Sequence, residues 1–280
     1  MGVQKYVFSN GVKSIELEYV RNIAGLGLPP VDITSSKGYR QDGVTVHSVE
    51  YQARPFTIEF DMRGDTYAAA IAELRALATF FADKGPKTFI YSRSGWTAYL
   101  YPVYLAGAYD PDMRELSVIA GSMQFIAANP YFKKDIDYDS VQTEVAVFEI
   151  PEAGFEIPEA GIELSTAENK MIKQVDADVL SPAFIRFIGP ATTPYVENKT
   201  TGERIEVNRT LESGETLIIN AETHRVDILD SLGDIHNAFN YIVDGSDFIH
   251  LAPGTNEIEF GAAGGSGFIE IGRCEYYASI

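Results

Sequence analysis

Strand-like alternation of apolar and polar residues runs through most of this sequence, and helical spacing stands out in one segment. Ile15, Leu17 and Tyr19 alternate with polar residues, as one buried face of a strand requires. In residues 65–83, apolar side chains instead recur at i, i+3 and i+4, Asp65 is a candidate N-cap, and Gly85-Pro86 ends the pattern. The sequence therefore predicts a mainly β chain with one helix packed on a sheet in its N-terminal part.

The C-terminal part has no helical pattern. Residues 181–277 carry short strand-like segments separated by turn signals every 8–12 residues or so, which is typical of a β-sandwich. A chain of 280 residues has room for one or two domains.

The charge is divided unequally along the chain. The net charge is −18, but residues 1–132 hold 12 basic and 13 acidic residues, whereas residues 133–280 hold 10 and 27. This asymmetry predicts an N-terminal domain at 1–132, an acidic linker or arm containing Pro and Gly at 133–180, and a C-terminal domain at 181–280. The acidic balance argues against sequence-independent binding to nucleic acid, which depends on Lys and Arg.

The acidic region contains a duplication. Glu-Ile-Pro-Glu-Ala-Gly occurs at residues 149–154 and again at 156–161. Because proline breaks helices and cannot donate to a sheet, the segment is expected to be extended with turns. Two interpretations stay open: a duplicated surface loop, or an arm that docks Phe155 and Ile162 on a neighbour.

Residues that could carry catalysis, a cofactor or a metal do not assemble into a set. The sequence has no Gly-x-Ser-x-Gly elbow, the four histidines have no i, i+4 partner, and Cys274 is the one cysteine. Asp135, Asp137 and Asp139 resemble part of a calcium loop but lack its glycine and final glutamate. We therefore predict no catalytic, cofactor-binding or metal-binding residues. The sequence contains no stretch of about 20 apolar residues, so it predicts no segment inserted into a membrane.

Two sets of residues are candidates for binding. A long polar stretch predicts an arm or a long hairpin, with a possible role between subunits; it comprises Ser35, Ser36, Lys37, Gly38, Tyr39, Arg40, Gln41, Asp42 and Gly43. Among the plentiful aromatic residues, Tyr241 and Phe248 are candidates for stacking on a sugar, although core packing is the simpler interpretation of aromatics in strands.

Taken together, the chain resembles the distal tail (Dit) proteins of long-tailed, siphovirus-type bacteriophages. In the N-terminal part, the resemblance depends on residues 11–19, the arm at 27–46, the strand RPFTIEF at 54–60, the single helix, and a last strand that ends in Asn129-Pro130-Tyr131. In the C-terminal part it depends on TLESGETLIIN at 210–220 and LAPGTNEIEF at 251–260, which are the most specific segments. The duplication at 149–161 has no counterpart in the family pattern.

The resemblance implies a structural function. It implies an N-terminal β-sandwich-like domain with one helix that closes a homo-hexameric ring, followed by a galectin-like C-terminal β-sandwich that projects outward. Such a ring is the hub between the major tail tube protein and the tail-associated (Tal) and receptor-binding or baseplate proteins. DNA crosses its channel without specific binding. The protein is then expected at the distal end of the virion tail, assembled in the host cytoplasm.

Two other functions compete with the structural hub. A carbohydrate-binding module at the host surface is the main alternative, supported by the predicted β-sandwich and by Tyr241 and Phe248. A cell-wall hydrolase is the third, and it is disfavoured because the sequence lacks a catalytic set.

Overall fold

A computed structural model describes residues 4–107, 109, 111–115, 117–142, 169–265 and 267–280. The chain forms two compact units, one built from residues up to Lys134 together with Tyr276–Ile280, and one from Asp135–Glu275. Each unit is built mainly of antiparallel strands, which confirms the predicted mainly β fold with one α-helix. The duplicated segment at 149–161 lies outside the described residues.

The first unit contains thirteen elements. They are β1 (Gln4–Ser9), β2 (Ser14–Glu16), β3 (Tyr19–Ala24), β4 (Val31–Ser36), β5 (Thr45–Tyr51), β6 (Arg54–Arg63), α1 (Tyr67–Ala82), β7 (Lys87–Arg93), β8 (Trp96–Leu105), β9 (Asp112–Glu115), β10 (Val118–Ala127), β11 (Phe132–Lys133) and, from the end of the chain, β25 (Tyr276–Tyr277). The main sheet has the order β2-β1-β7-β8-β10-β6-β3, with β9 beside β10 and with β11 joining β8 to β25. β4 and β5 pair only with each other.

The helix forms the second layer of this unit. Ala70, Leu77 and Phe81 of α1 belong to the same buried cluster as Phe56 and Phe125 of the sheet. The helix packed on a sheet that the sequence predicts is therefore present, and it supplies the apolar cover that the inner face of the sheet needs.

The start of the helix differs from the sequence prediction. Thr66, not Asp65, is the N-cap, and its hydroxyl accepts a hydrogen bond from the Ala69 amide at 3.2 Å. Both residue types cap helices well, so the sequence alone could not choose between neighbours.

The second unit is a sandwich of two main sheets, with a small two-stranded sheet of β15 and β18 beside them. Its strands are β12 (Asp137–Gln142), β13 (Lys170–Val175), β14 (Ser181–Ile188), β15 (Ala191–Thr192), β16 (Tyr195–Asn198), β17 (Glu203–Glu206), β18 (Thr210–Leu211), β19 (Thr216–Asn220), β20 (Arg225–Leu229), β21 (Ile235–Asn237), β22 (His250–Leu251), β23 (Gly254–Gly261) and β24 (Phe268–Arg273), with a 3₁₀ turn at Phe239–Tyr241. One sheet has the order β12-β24-β14-β19-β20-β21, with β22 beside β14, and the other β13-β23-β16-β17. Side chains from both sheets form one buried cluster.

The unit boundaries differ from the predicted domain boundaries at two places. β12 and β13 fall inside the predicted linker at 133–180, yet each is paired into a sheet of the second unit. Residues 276–280 fall inside the predicted C-terminal domain, yet β25 pairs with β11 of the first unit. Both differences arise from strand pairing between segments far apart in sequence, which composition and charge do not record.

Candidate subunit interface

The hairpin of β4 and β5 stands apart from both buried cores. Its strands pair from Val31 opposite Tyr51 to Ser36 opposite Thr45, and in the part of the chain that the structure describes neither strand pairs with a third. All its residues are exposed except Ser48, which is half-buried. An isolated two-stranded hairpin is marginally stable in water. Apart from the Tyr51 ring, which packs against the Tyr131 ring with centroids 5.9 Å apart, the chain leaves this hairpin largely uncovered.

The two faces of the hairpin differ in polarity. Directly opposed residues share a face, so the pairs Val31–Tyr51 and Ile33–Val49 lie together, while Asp32–Glu50 and Thr34–Ser48 lie on the other side. The register shifts after Thr34, and Val46 continues the first face opposite Ser35. The apolar face is 41–62% exposed at each of these five side chains: Val31, Ile33, Val46, Val49 and Tyr51.

The tip of the hairpin is shaped by its own polar side chains. The nine residues predicted as an arm occupy the end of β4 and the loop that follows. Gly38 N donates to Gln41 Oε1 at 2.8 Å, and Gln41 Nε2 donates to Thr45 Oγ1 at 3.0 Å. Tyr39 is 91% exposed, with the Arg40 guanidinium 5.2 Å from its ring centroid. The sequence marks this stretch as an arm or a long hairpin, but it does not show the pairing of β4 with β5, and a role of the stretch between subunits stays a prediction.

A buried arginine holds the base of the hairpin. Arg54 is fully buried, and its guanidinium donates to carbonyl oxygens on three segments of the chain. They are Gly25 (2.9 Å) and Gly27 in the loop before β4, Pro130 (2.7 Å) before β11, and Ala278 (2.6 Å) in the C-terminal tail. Burial lowers the pKa of Arg54 to about 10, so the side chain stays charged at neutral pH.

The sugar-stacking candidates, Tyr241 and Phe248, have different surroundings. Phe248 packs against Phe239 and His224, with ring centroids 6.5 and 4.8 Å away, and lines a cavity of about 370 Å³ with Phe239. Tyr241 is outside that lining and lies under the Arg209 guanidinium, 5.5 Å from its ring centroid. Sequence reasoning did not select Arg209, because no local pattern marks it as a neighbour of these rings.

The acidic run at residues 135–139 is engaged by cations of the protein. Asp139 contacts the Lys173 ammonium at 2.7 Å, and Asp137 contacts the Arg273 guanidinium at 2.9 Å. Within the described ranges, no group of three or more His, Cys, Asp or Glu side chains is arranged to hold a metal ion. In the same part of the chain, no helix is long and apolar enough to cross a membrane.

Comparison with known proteins matches both units. Residues 176–271 match the family model of the siphovirus-type tail component, C-terminal domain, and residues 11–127 match that of the phage tail protein RIFT-related domain. No curated protein matches the sequence.

Solved structures share the fold over the whole chain. The Dit protein (gp 19.1) of phage SPP1, described as a paradigm of the hub adsorption apparatus in phages that infect Gram-positive hosts, has a TM-score of 0.65 at 13% identity, covering 98% of this chain and 99% of its own. A chain of the phage P2 baseplate in its activated conformation with Ca has a TM-score of 0.55 at 11% identity, covering 99% and 100%. At these identities the likeness shows the fold.

The two-unit β fold and the paired family matches define a structural component of a siphovirus-type phage tail, located in the tail of the virion. Within that class, the chain belongs to the siphovirus-type distal tail (Dit) family, as its sequence resemblance predicts.

Proposed function

We propose that this protein forms a homo-hexameric ring at the distal end of the tail and acts as its hub. The first unit closes the ring, and the second, a galectin-like sandwich, faces outward. The ring joins the major tail tube protein to the tail-associated (Tal) protein and to receptor-binding or baseplate proteins, after assembly in the host cytoplasm. The family membership and the description of the SPP1 relative as a hub support this proposal.

The observation that carries the proposal is the uncovered apolar face of the β4–β5 hairpin. A ring is built from one contact between two different surfaces, repeated by rotation until it closes. A hairpin that leaves the body of its own subunit supplies one of those surfaces. Burying its five apolar side chains on a neighbour would stabilise the contact, at about 25 cal/mol for each Å² removed from water. The polar residues on the other face of the hairpin would stay in contact with water.

The channel of such a ring must let DNA pass without holding it. Phosphates are bound by clusters of Lys and Arg, and residues 1–132 carry 12 basic against 13 acidic residues. A near-neutral first unit is therefore compatible with passage of DNA.

A pair of matched double variants tests the ring and the hairpin together. Six copies of the 30.8-kDa chain would have a mass of about 185 kDa. We expect Ile33→Asp/Val49→Asp, on the apolar face, to shift the mass measured by light scattering to that of the monomer. Thr34→Asp/Ser48→Asp adds the same charges at an opposed pair on the other face, and we expect it to keep the ring.

Negative-stain images should show sixfold rings for the parent chain and for the Thr34→Asp/Ser48→Asp control. A parent chain that stays monomeric at high concentration with the tube protein present would contradict the ring. Equal assembly of both double variants would leave the ring intact but remove the hairpin from its interface.

A further inference from the structure

One arginine of the acidic second unit has no counter-charge. Among the described residues of that unit, each of the other four arginines lies within 4.0 Å of a carboxylate: Arg186, Arg204, Arg225 and Arg273. The Arg209 guanidinium has no hydrogen-bond acceptor in the described structure, and its Nε is buried without a partner. Since residues 133–280 hold 27 acids, an unpaired guanidinium here is unusual.

Backbone hydrogen bonds hold the segments of Arg209 and Tyr241 side by side, and the guanidinium lies 5.5 Å from the centroid of the aromatic ring. Arg209 lies over Tyr241, which is 41% exposed. Asn208 N donates to Tyr241 O at 2.8 Å, and Thr193 N donates to Arg209 O at 3.0 Å, so both residues are held on a paired backbone. The pair therefore combines a free cation with an accessible flat apolar surface whose positions are set by the fold.

A cavity lies beside the chain segment that carries Tyr241, although neither Tyr241 nor Arg209 lines it. Asn240 and Ile242, the two neighbours of Tyr241 in sequence, line the cavity of about 370 Å³ that also contains the Phe239 and Phe248 rings. This volume is in the range of small-molecule sites. Its wall adds the polar side chains of Asn240, Asp244 and Ser246.

We propose that Arg209 and Tyr241 form a binding site for an acidic saccharide, in which the guanidinium binds the anionic group and the aromatic ring stacks on the sugar. A planar guanidinium binds a carboxylate or phosphate through paired hydrogen bonds. A saccharide with a single negative charge fits better than the surface of an acidic protein. The 27 acidic residues among residues 133–280 would repel the many negative charges of such a surface more strongly than the one charge of the saccharide. This binding activity is separate from the structural role of the ring.

The test compares acidic and neutral sugars on the full-length protein. Calorimetric titrations with D-glucuronic acid, glucose 6-phosphate and D-glucose separate carboxylate, phosphate and neutral ligands, and acetate tests the anion alone. We expect the preferred acidic sugar to bind about 10- to 100-fold more tightly than glucose, as a charged hydrogen bond contributes. Acetate should bind more weakly than that sugar, because it cannot stack on Tyr241.

Three variants locate the site. Arg209→Gln should abolish the preference for the acidic sugar, and Tyr241→Ala should weaken binding of every sugar. Arg225→Gln removes the same charge at an arginine that is paired with Asp227, and it should leave the binding of every sugar unchanged. Circular dichroism melts of each variant confirm that it folds.

Several results would overturn the proposal. The proposal fails if no saccharide binds at about 10 mM, a concentration at which a ligand of millimolar affinity is mostly bound. It also fails if the folded Arg209→Gln variant keeps its preference for the acidic sugar, or if acetate and glucuronate bind equally tightly. Binding of a poly-glutamate peptide, with no saccharide bound, would assign the guanidinium to a protein partner instead.

Discussion

Each unit buries a cationic side chain completely, and the two side chains have different kinds of hydrogen-bond partner. Arg54 is surrounded by backbone carbonyls, whereas Lys173 donates to Ile271 O at 2.6 Å and contacts Asp139 at 2.7 Å. The alternation in β13 places Lys173 on the inner face and leaves Ile172 67% exposed. Polarity alone predicts the opposite arrangement, so the role of Lys173 could not be predicted from the sequence.

Asp139 is expected to make the stability of the second unit depend on pH. The hydrogen bond from Lys173 lowers the pKa of Asp139, with the charges of Lys173 and Arg273 adding to the effect and partial burial opposing it. A carboxyl whose pKa is lowered by folding stabilises the protein above its ordinary value of 3.8, and that contribution is lost as the pH falls through the folded value. We therefore expect stability to fall as the pH is lowered from about 5.

Asp139→Asn should lower the free energy of unfolding at pH 7 by about 1–3 kcal/mol, because it leaves a buried ammonium without its counter-charge. The loss should be smaller than for a fully buried pair, since Asp139 is 54% exposed. Urea unfolding between pH 3 and 7, followed by circular dichroism, measures it, and the variant should show a flatter pH profile. Asp227→Asn, next to the exposed Arg225, is the control; an equal loss there would contradict this account.

At the scale of elements, local sequence patterns predicted the elements that local interactions form. The helix was predicted at residues 65–83 and lies at Tyr67–Ala82, because its apolar spacing and the Gly85-Pro86 stop are both local signals. Residues 35–43 were predicted as an arm or a long hairpin, without the bounds of its two strands. The place of Val46 on the apolar face depends on the register shift after Thr34, which is set by pairing between the strands and leaves no mark in either strand alone.

The loop that leads into the hairpin contains two glycines with different constraints. Gly25 has a φ of +95°, and a Cβ there would lie 2.4 Å from Pro55 O and 2.8 Å from Phe56 Cα. A Cβ built on Gly27 would meet no atom within 4 Å, and the φ angle of Gly27 is not in the left-handed region. Gly25→Ala should therefore lower the free energy of unfolding by about 2 kcal/mol or more, and Gly27→Ala by less than about 0.5 kcal/mol.

Chemical unfolding of both glycine variants, followed by the fluorescence of Trp96, measures the difference. Trp96 is the one tryptophan of the chain and belongs to the first unit, so its signal reports that unit. Equal stability of the two variants would show that the loop can move away from β6.

At the scale of the whole molecule, the chain leaves the first unit at Lys134 and returns to it for its last five residues. The returning segment pairs Tyr277 with Phe132, places the Tyr277 ring 5.7 Å from that of Trp96, and gives Ala278 O to Arg54. The family resemblance covered nearly the full chain and predicted two domains, but a partner about 140 residues away is not visible in local patterning.

This path predicts that the end of the chain stabilises the unit in which the chain begins. Deletion of residues 276–280 removes β25, one acceptor of the buried Arg54 and a ring packed against Trp96. We expect the transition seen by Trp96 fluorescence to move to lower temperature by about 5 °C or more, as a loss of 1–2 kcal/mol implies for a unit of this size.

The second-unit transition, followed by far-ultraviolet circular dichroism, should stay in place after the deletion. Ile258→Ala is the matched perturbation, because Ile258 is fully buried in the core of the second unit. It should shift the circular dichroism transition and leave the Trp96 signal unchanged. If the deletion instead lowers the second transition and spares the first, the tail stabilises the sandwich that precedes it in sequence. In that case the pairing of β25 with β11 contributes little to the fold.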